Sequence, residues 1–180
     1  MDFWIQAGDP RATGTYSAED VCVAEALETI FPMFTEDAII VWKRWFIPLS
    51  YKYGFSCLID DLIIIVSAVL AVDTGRISVV WPCSEFQARW TVSWTQEDVQ
   101  IDSEWMSAPG QLLEMLKKAG PVQLKRSEFL AEWKMPFTKI VEALKVSGYN
   151  AKNLKDMPSF EWLASALPKG AYLYPGPSEG

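Results

Sequence analysis

The chain has 180 residues, of which 50% are hydrophobic and 13% aromatic, with nine tryptophans and no histidine. This length suits one domain with a single core, and the apolar content excludes an intrinsically disordered protein. The missing histidine excludes Ser-His-Asp and Cys-His catalysis and metal sites with histidine ligands. A formal charge of −7 does not suit DNA or an anionic membrane, but it suits a basic protein partner.

The charge is divided unevenly along the chain. Residues 1–42 hold eight acids and one arginine, and residues 85–104 hold five acids and one arginine. Residues 115–155 reverse this balance, with nine Lys or Arg side chains against three acids. The three widely spaced cysteines indicate neither a disulfide framework nor a zinc site, and no secretory signal is predicted at the N-terminus. A reduced, cytoplasmic protein is therefore expected.

The first half of the chain predicts a strand, a helix, a strand and a second helix. "DFWIQAG" is the opening strand, and Ser17 is expected to cap a helix that ends near Pro32. This first helix carries Glu19, Asp20, Glu25 and Glu28. Residues 38–45 are predicted as one strand because they are β-branched and aromatic. Ser56 is expected to cap the next helix, whose apolar run over residues 62–72 is too short to span a bilayer and indicates a central buried helix.

The second half predicts four strands and three helices. "RISVVWP", "QARWTVSWT" and "DVQIDSEW" are strands, and the "QED" link makes the last two an antiparallel hairpin. Trp90, Trp94 and Trp105 alternate with polar residues, so they are predicted to face the core while Thr, Ser, Gln, Asp and Glu face outward. A short helix, an edge strand at "PVQLKR", a long helix capped by Ser127 and stopped at Gly148, and a last short helix complete the chain.

These elements predict an α+β fold in a single domain over residues 1–174, followed by a flexible C-terminal tail over residues 175–180. The sheet is expected to be mainly antiparallel, with a central Trp-rich hairpin packed against a buried helix and with further helices around it. No internal repeat and no linker divides the chain.

Carboxylates are the remaining candidates for chemistry. Asp60 and Asp61 are neighbours on a helix, where adjacent side chains point about 100° apart, so a structural role near the helix start is favoured over a catalytic or metal site. A carboxylate enzyme or a small-ligand-binding protein is the alternative, and it requires both acids to converge with Tyr51, Lys52 or Tyr53 in a cleft. No cofactor and no metal is expected.

A second acidic cluster lies on the predicted hairpin. A two-metal site would need these carboxylates to converge in a cleft, so a surface that faces solvent or a partner is favoured. Its members are Glu97, Asp98, Asp102 and Glu104.

Four stretches together resemble bacterial immunity proteins, the small cytosolic antidotes that are encoded beside polymorphic or contact-dependent toxins. The stretches are "IPLSYKYGFSCLIDDL", "ISVVWPCSEFQARWTVSW", "VQIDSEW" and "FLAEWK", within roughly residues 45–135. The resemblance implies a non-enzymatic protein that binds and neutralises a toxin domain, often a nuclease and commonly basic. It supplies no site residues.

The partner contacts are therefore predicted from the acids alone. They are Glu85, Glu97, Asp98, Asp102 and Glu104, with the acidic first helix as the second candidate surface. A structural or adaptor subunit of a larger assembly is a third hypothesis. Nucleic acid and membrane are not expected as partners, and the sequence leaves the oligomeric state open.

Overall fold

Residues 2–170 are described by a computed structural model, in which two antiparallel sheets combine with five helices. The strands are β1 (Phe3–Gln6), β2 (Ala38–Trp42), β3 (Trp45–Leu49), β4 (Gly75–Pro82), β5 (Gln87–Trp94), β6 (Asp98–Ser107) and β7 (Val122–Lys125). The helices are α1 (Val23–Ile30), α2 (Gly54–Ala71), α3 (Leu112–Ala119), α4 (Arg126–Val146) and α5 (Met157–Ala166). The predicted α+β class is confirmed. The tail predicted over residues 175–180 lies outside the described residues.

The smaller sheet has the order β1-β2-β3, and it corrects one predicted strand. Residues 38–45 form two strands, because the chain turns back at Lys43 and Arg44. Lys43 has a φ of 57°, in the left-handed region that two-residue hairpin turns use. The turn was missed because such positions usually carry Gly, Asn or Asp, whereas here the residues on both sides form one continuous apolar run.

The larger sheet has the order β4-β5-β6-β7, with β7 at an edge as predicted. Trp90, Trp94 and Trp105 are buried, which confirms the face assigned to them. The Trp94 indole N–H donates a hydrogen bond to the Val72 carbonyl at 2.8 Å. A Cβ on Gly75 would lie 2.2 Å from the Trp94 ring, so this strand start requires a glycine.

An aromatic cluster joins the two sheets. Trp42 of the smaller sheet lies with its ring centroid 5.3 Å from those of both Trp90 and Trp105, and Trp81 lies 4.5 Å from Trp90. Phe3 packs edge-on against Trp90 at 6.0 Å. Such contacts bury large apolar areas and hold both sheets around one core. The Trp81 and Trp90 indole N–H groups have no hydrogen-bond partner among residues 2–170, so packing alone orients these two rings.

The predicted caps of α1 and α4 are wrong because the cap comes from elsewhere. α1 begins at Val23 instead of near Ser17, and the Val23 N–H donates to the Asp156 carboxylate at 2.9 Å. At the start of α4 the cap is not Ser127. There the Glu128 carboxylate accepts the N–H of the residue that precedes the helix, at 3.1 Å. The predicted stop at Gly148 is confirmed, with a φ of 94°.

The central helix α2 begins at Gly54, before the predicted cap Ser56. Its start is held by Ser50, whose hydroxyl accepts the Gly54 N–H at 2.9 Å. One side of α2 is buried against the neighbouring elements, while Ile64 on the other side is 57% exposed. Among the described residues α2 alone has the length and apolarity of a membrane span, with 44% of it buried; core helices of soluble proteins share these properties.

Candidate functional site

The side of the larger sheet that points away from the aromatic cluster is open to solvent. We call it the outer sheet face. Its side chains come from alternate positions of the four strands and are all exposed or half-buried, which confirms the predicted polar face. They are Arg76, Ser78, Val80, Gln87, Arg89, Thr91, Ser93, Asp98, Gln100, Asp102, Glu104, Gln123 and Lys125.

The charges of the outer sheet face balance one another. Its cations are Arg76, Arg89 and Lys125, and its acids are Asp98, Asp102 and Glu104. Arg89 donates to Glu104 at 2.7 Å, and Lys125 donates to Asp98 at 2.9 Å. Hydrogen bonding to Asp98 and its negative charge raise the pKa of the Lys125 ammonium. The two pairs neutralise two of the four acids that the sequence places on this hairpin, and Glu97 and Asp102 stay without an ion pair among residues 2–170.

The other two predicted contacts lie at opposite ends of the hairpin. Glu97 is exposed on the β5–β6 tip, where its main-chain carbonyl accepts the Arg126 N–H at 2.8 Å. Glu85 lies in the β4–β5 link and accepts hydrogen bonds from the hydroxyls of Ser50 and Ser84. The structure therefore places Glu97 next to the outer sheet face and holds Glu85 against the start of α2.

A second group of acids gathers where α1, α2 and the start of α5 meet. We call it the helical acidic surface; its members are Glu25, Glu28, Asp60, Asp61 and Asp156. None of these five carboxylates forms an ion pair within residues 2–170. Their hydrogen bonds come from uncharged groups instead. The Glu28 carboxylate accepts the Ser56 hydroxyl at 3.2 Å, and Glu25 accepts the Val21 N–H at 2.7 Å.

Two pKa values on this surface are raised, chiefly by desolvation and to a smaller extent by neighbouring carboxylates. Asp60 is exposed, but partial desolvation by its neighbours raises the pKa of its carboxyl, and the negative charges of Asp156 and Asp61 raise it further. The pKa of the nearby Cys22 thiol is raised by burial above all, and the carboxylates of Glu25, Asp156 and Asp60 add to the rise. A like charge disfavours ionisation of its neighbour, so these shifts indicate that carboxylates lie close together here. The surface also has one cation nearby, because the Lys52 ammonium donates to the main-chain carbonyl of Glu28.

Asp156 was missed at the sequence level. It is separated from α1 by more than 130 residues, yet its carboxylate accepts the N–H that opens that helix. The sequence offers one weak signal, an aspartate just before "MPSF", and that pattern predicts a cap for its own helix only. Its contact with Val23 and its proximity to Asp60 arise only in the folded chain.

The carboxylate-enzyme hypothesis required convergence around Asp60 and Asp61. The two aspartates lie in the second turn of α2, not in the first, and Asp60 is exposed. The Tyr51 hydroxyl donates to the Ala7 carbonyl, and the Lys52 ammonium donates to main-chain carbonyls. No group of three His, Cys, Asp or Glu within residues 2–170 is placed to hold a metal ion.

Comparisons of the chain with known protein families, with curated proteins and with solved structures find no match. The surfaces of the molecule are therefore the basis for a functional proposal.

Proposed function

We propose that this protein is a non-enzymatic inhibitor of the immunity-protein type, which binds a basic toxin domain and neutralises it by direct contact. The observation that supports the proposal most is the helical acidic surface. It carries five carboxylates without an ion-pair partner among the described residues. A surface of one sign raises the local concentration of an oppositely charged partner and speeds its association.

The helical acidic surface suits this role because three of its five carboxylates are already held by hydrogen bonds. The Asp156 carboxylate is fixed by the Val23 N–H, and Glu28 is fixed by the Ser56 hydroxyl. Side chains that are ordered before binding lose less conformational entropy when a partner arrives. Lysine and arginine side chains of a toxin would relieve the mutual repulsion that raises the pKa of Asp60.

The five acids predicted from the sequence remain proposed contacts with a different contribution. Asp98 and Glu104 already pair with Lys125 and Arg89, so a partner must replace these ion pairs to reach them. We expect these paired acids to affect the specificity and the dissociation rate of the complex more than its association rate. Glu97 and Asp102 lack an ion-pair partner among residues 2–170, so a partner can bind them without breaking an existing ion pair. Glu85 would contribute only at the far end of the hairpin.

A charge-reversal experiment tests the proposal. The tagged chain is tested for binding to the product of the neighbouring gene, which the proposal expects to carry a toxin domain, and association is followed by stopped-flow at several salt concentrations. The helical variant carries Glu25→Lys, Glu28→Lys and Asp60→Lys, and the sheet variant carries Glu97→Lys, Asp98→Lys, Asp102→Lys and Glu104→Lys. We expect the helical variant to associate about tenfold more slowly at low salt, with a smaller salt dependence.

The sheet variant is expected to change the dissociation rate more than the association rate. Circular dichroism checks that both variants remain folded. If the toxin domain stays active in the presence of the unmodified chain, the proposed function is wrong. If neutralisation occurs but neither variant changes the kinetics, the function stands and both surface assignments fail.

A further inference from the structure

A cleft opens between the β2–β3 turn and the end of α3. It shares no residue with the outer sheet face or the helical acidic surface. It has a volume of about 510 Å³ and is lined by Asp2, Lys43, Arg44, Trp45, Lys118 and the side chain of Met115. This volume falls within the range of small-molecule sites, which are roughly 300–1,000 Å³. The cleft plays no part in the proposed function, and we call it the cationic cleft.

Three cations face one acid in the cationic cleft. Lys43 and Arg44 come from the β2–β3 turn, and Lys118 comes from the last turn of α3. None of the three forms an ion pair among residues 2–170. The neighbouring Lys117 differs, because it pairs with Glu114 at 3.3 Å. Three cations that line a concave site with one acid give it a net positive charge, which favours an anion.

The backbone gives an independent reason to regard this cleft as a built site. Within residues 2–170, Lys43 is the only residue other than glycine with a positive φ, at 57°. Residues with a side chain adopt this conformation at a cost, and such outliers concentrate at functional sites. Glycine or asparagine would make the same turn more easily. The chain instead keeps two adjacent cations, Lys43 and Arg44, at the mouth of the cleft.

An aromatic wall adds a requirement on the ligand's shape. Trp45 is half-buried, and the Arg44 guanidinium lies 5.4 Å from its ring centroid. Met115 supplies further apolar surface on the α3 side. A small anion such as free phosphate would leave the ring and the thioether without contacts. A ligand that joins a flat ring to several negative charges would contact both the cations and the apolar part of the lining.

We propose that the cationic cleft binds a nucleoside polyphosphate. The phosphates contact Lys43, Arg44 and Lys118, and the base lies against Trp45 and Met115. Arginine and lysine both bind phosphate oxygens well, arginine through its fixed fork and lysine as a point charge. The proposal is independent of toxin binding, because the cleft shares no residue with the helical acidic surface or the outer sheet face.

The test is a calorimetric titration of the full chain with ATP in the absence of magnesium. Adenosine and inorganic tripolyphosphate serve as partial ligands. We expect saturable binding of ATP. Each partial ligand is expected to bind with an affinity at least about tenfold lower than that of ATP. Lys118→Glu is expected to weaken ATP binding by about tenfold or more, because it replaces a charge-assisted hydrogen bond with repulsion. Lys117→Glu is the matched control on the same helix and is expected to bind ATP as the natural chain does.

Two further variants separate binding from folding. Lys43→Gly is expected to keep or raise the melting temperature, since glycine accepts a positive φ, and yet to weaken ATP binding. Trp45→Leu is expected to weaken binding of ATP without changing that of tripolyphosphate. Absence of saturable ATP binding would overturn the proposal, as would an equal loss in Lys117→Glu and Lys118→Glu. Tripolyphosphate binding as tight as ATP would overturn the role of the ring. If a single-stranded oligonucleotide bound more tightly than ATP, the proposal of a nucleotide ligand would be overturned in favour of nucleic acid.

Discussion

The outer sheet face has three carboxylates and the helical acidic surface has five, and the two surfaces differ in how these charges are neutralised. On the sheet, Asp98 and Glu104 face Lys125 and Arg89 across neighbouring strands, and the pairs form at 2.9 and 2.7 Å. On the helices, carboxylates meet one another and main-chain N–H groups instead. The pKa of Asp60 is raised partly by Asp156 for this reason.

The difference shows that a run of acids in a sequence does not by itself make a negative surface. Cross-strand neighbours of opposite charge attract, and antiparallel pairing sets which residues are neighbours. Residues 85–104 are acidic along the chain, but β5 and β7 bring cations to their side. In contrast, the acids of α1 gain further acids from α2 and α5. Three predictions sharpen this comparison, starting with the largest effect.

The first concerns the core that holds the outer sheet face in shape. Trp90→Ala removes a buried ring that contacts four other aromatic rings, and we expect the free energy of unfolding to fall by about 3–5 kcal/mol. Thr91→Ala changes the next residue, which lies on the outer face, and is expected to cost about 1 kcal/mol or less. Urea denaturation measures both. Equal losses in the free energy of unfolding would mean that the two faces of the sheet contribute equally to stability, against the prediction.

The second prediction concerns the carboxylate that joins α5 to α1. Asp156→Ala leaves the Val23 N–H without its acceptor, so we expect a loss of about 1–2 kcal/mol in the free energy of unfolding. Asp156→Asn keeps an oxygen acceptor but removes the charge, and it is expected to cost less. Both variants should lower the pKa of Asp60, which NMR titration can follow. If the pKa of Asp60 did not change, Asp156 would not interact electrostatically with Asp60 and would not belong to the helical acidic surface.

The third prediction compares the removal of one carboxylate charge from each surface. The raised pKa of Asp60 means that the folded chain holds its proton more tightly than the unfolded chain does. Its ionisation therefore destabilises the fold, and this cost is absent below about pH 4 and grows as the pH rises through the folded-state pKa. Asp60→Asn should raise stability at pH 7 by less than about 1 kcal/mol, and the gain should disappear in acid.

Glu104→Gln is the matched change on the outer sheet face. It breaks an exposed ion pair with Arg89, so stability at pH 7 should fall by roughly 0–1 kcal/mol. Thermal denaturation at pH 7 and pH 3.5 measures both variants. The same sign for Asp60→Asn and Glu104→Gln at pH 7 would contradict the distinction between a repelling and a paired surface.

Alternation of apolar and polar residues predicted the sheet correctly, because a strand that covers a core on one side has a period of two whatever its neighbours are. Trp90, Trp94 and Trp105 followed from that rule. Helix starts were predicted less well. A serine near an apolar run is a common cap, but α1 takes its cap from Asp156 and α2 takes its cap from Ser50. Capping needs any acceptor within reach, and only the fold decides which one is there.

The sequence by itself determined the α+β class, the antiparallel hairpin, the buried face of its tryptophans and the edge position of β7, because these depend on local periodicity and on short links. The tertiary structure decided which charges are paired, since Arg89 and Lys125 meet their carboxylates across 15 and 27 residues. It also decided which acid caps α1, since Asp156 meets the Val23 N–H across 133 residues. It also made the cationic cleft, in which the β2–β3 turn meets α3. Electrostatic interactions depend on distances in space, and periodicity along a chain does not specify them.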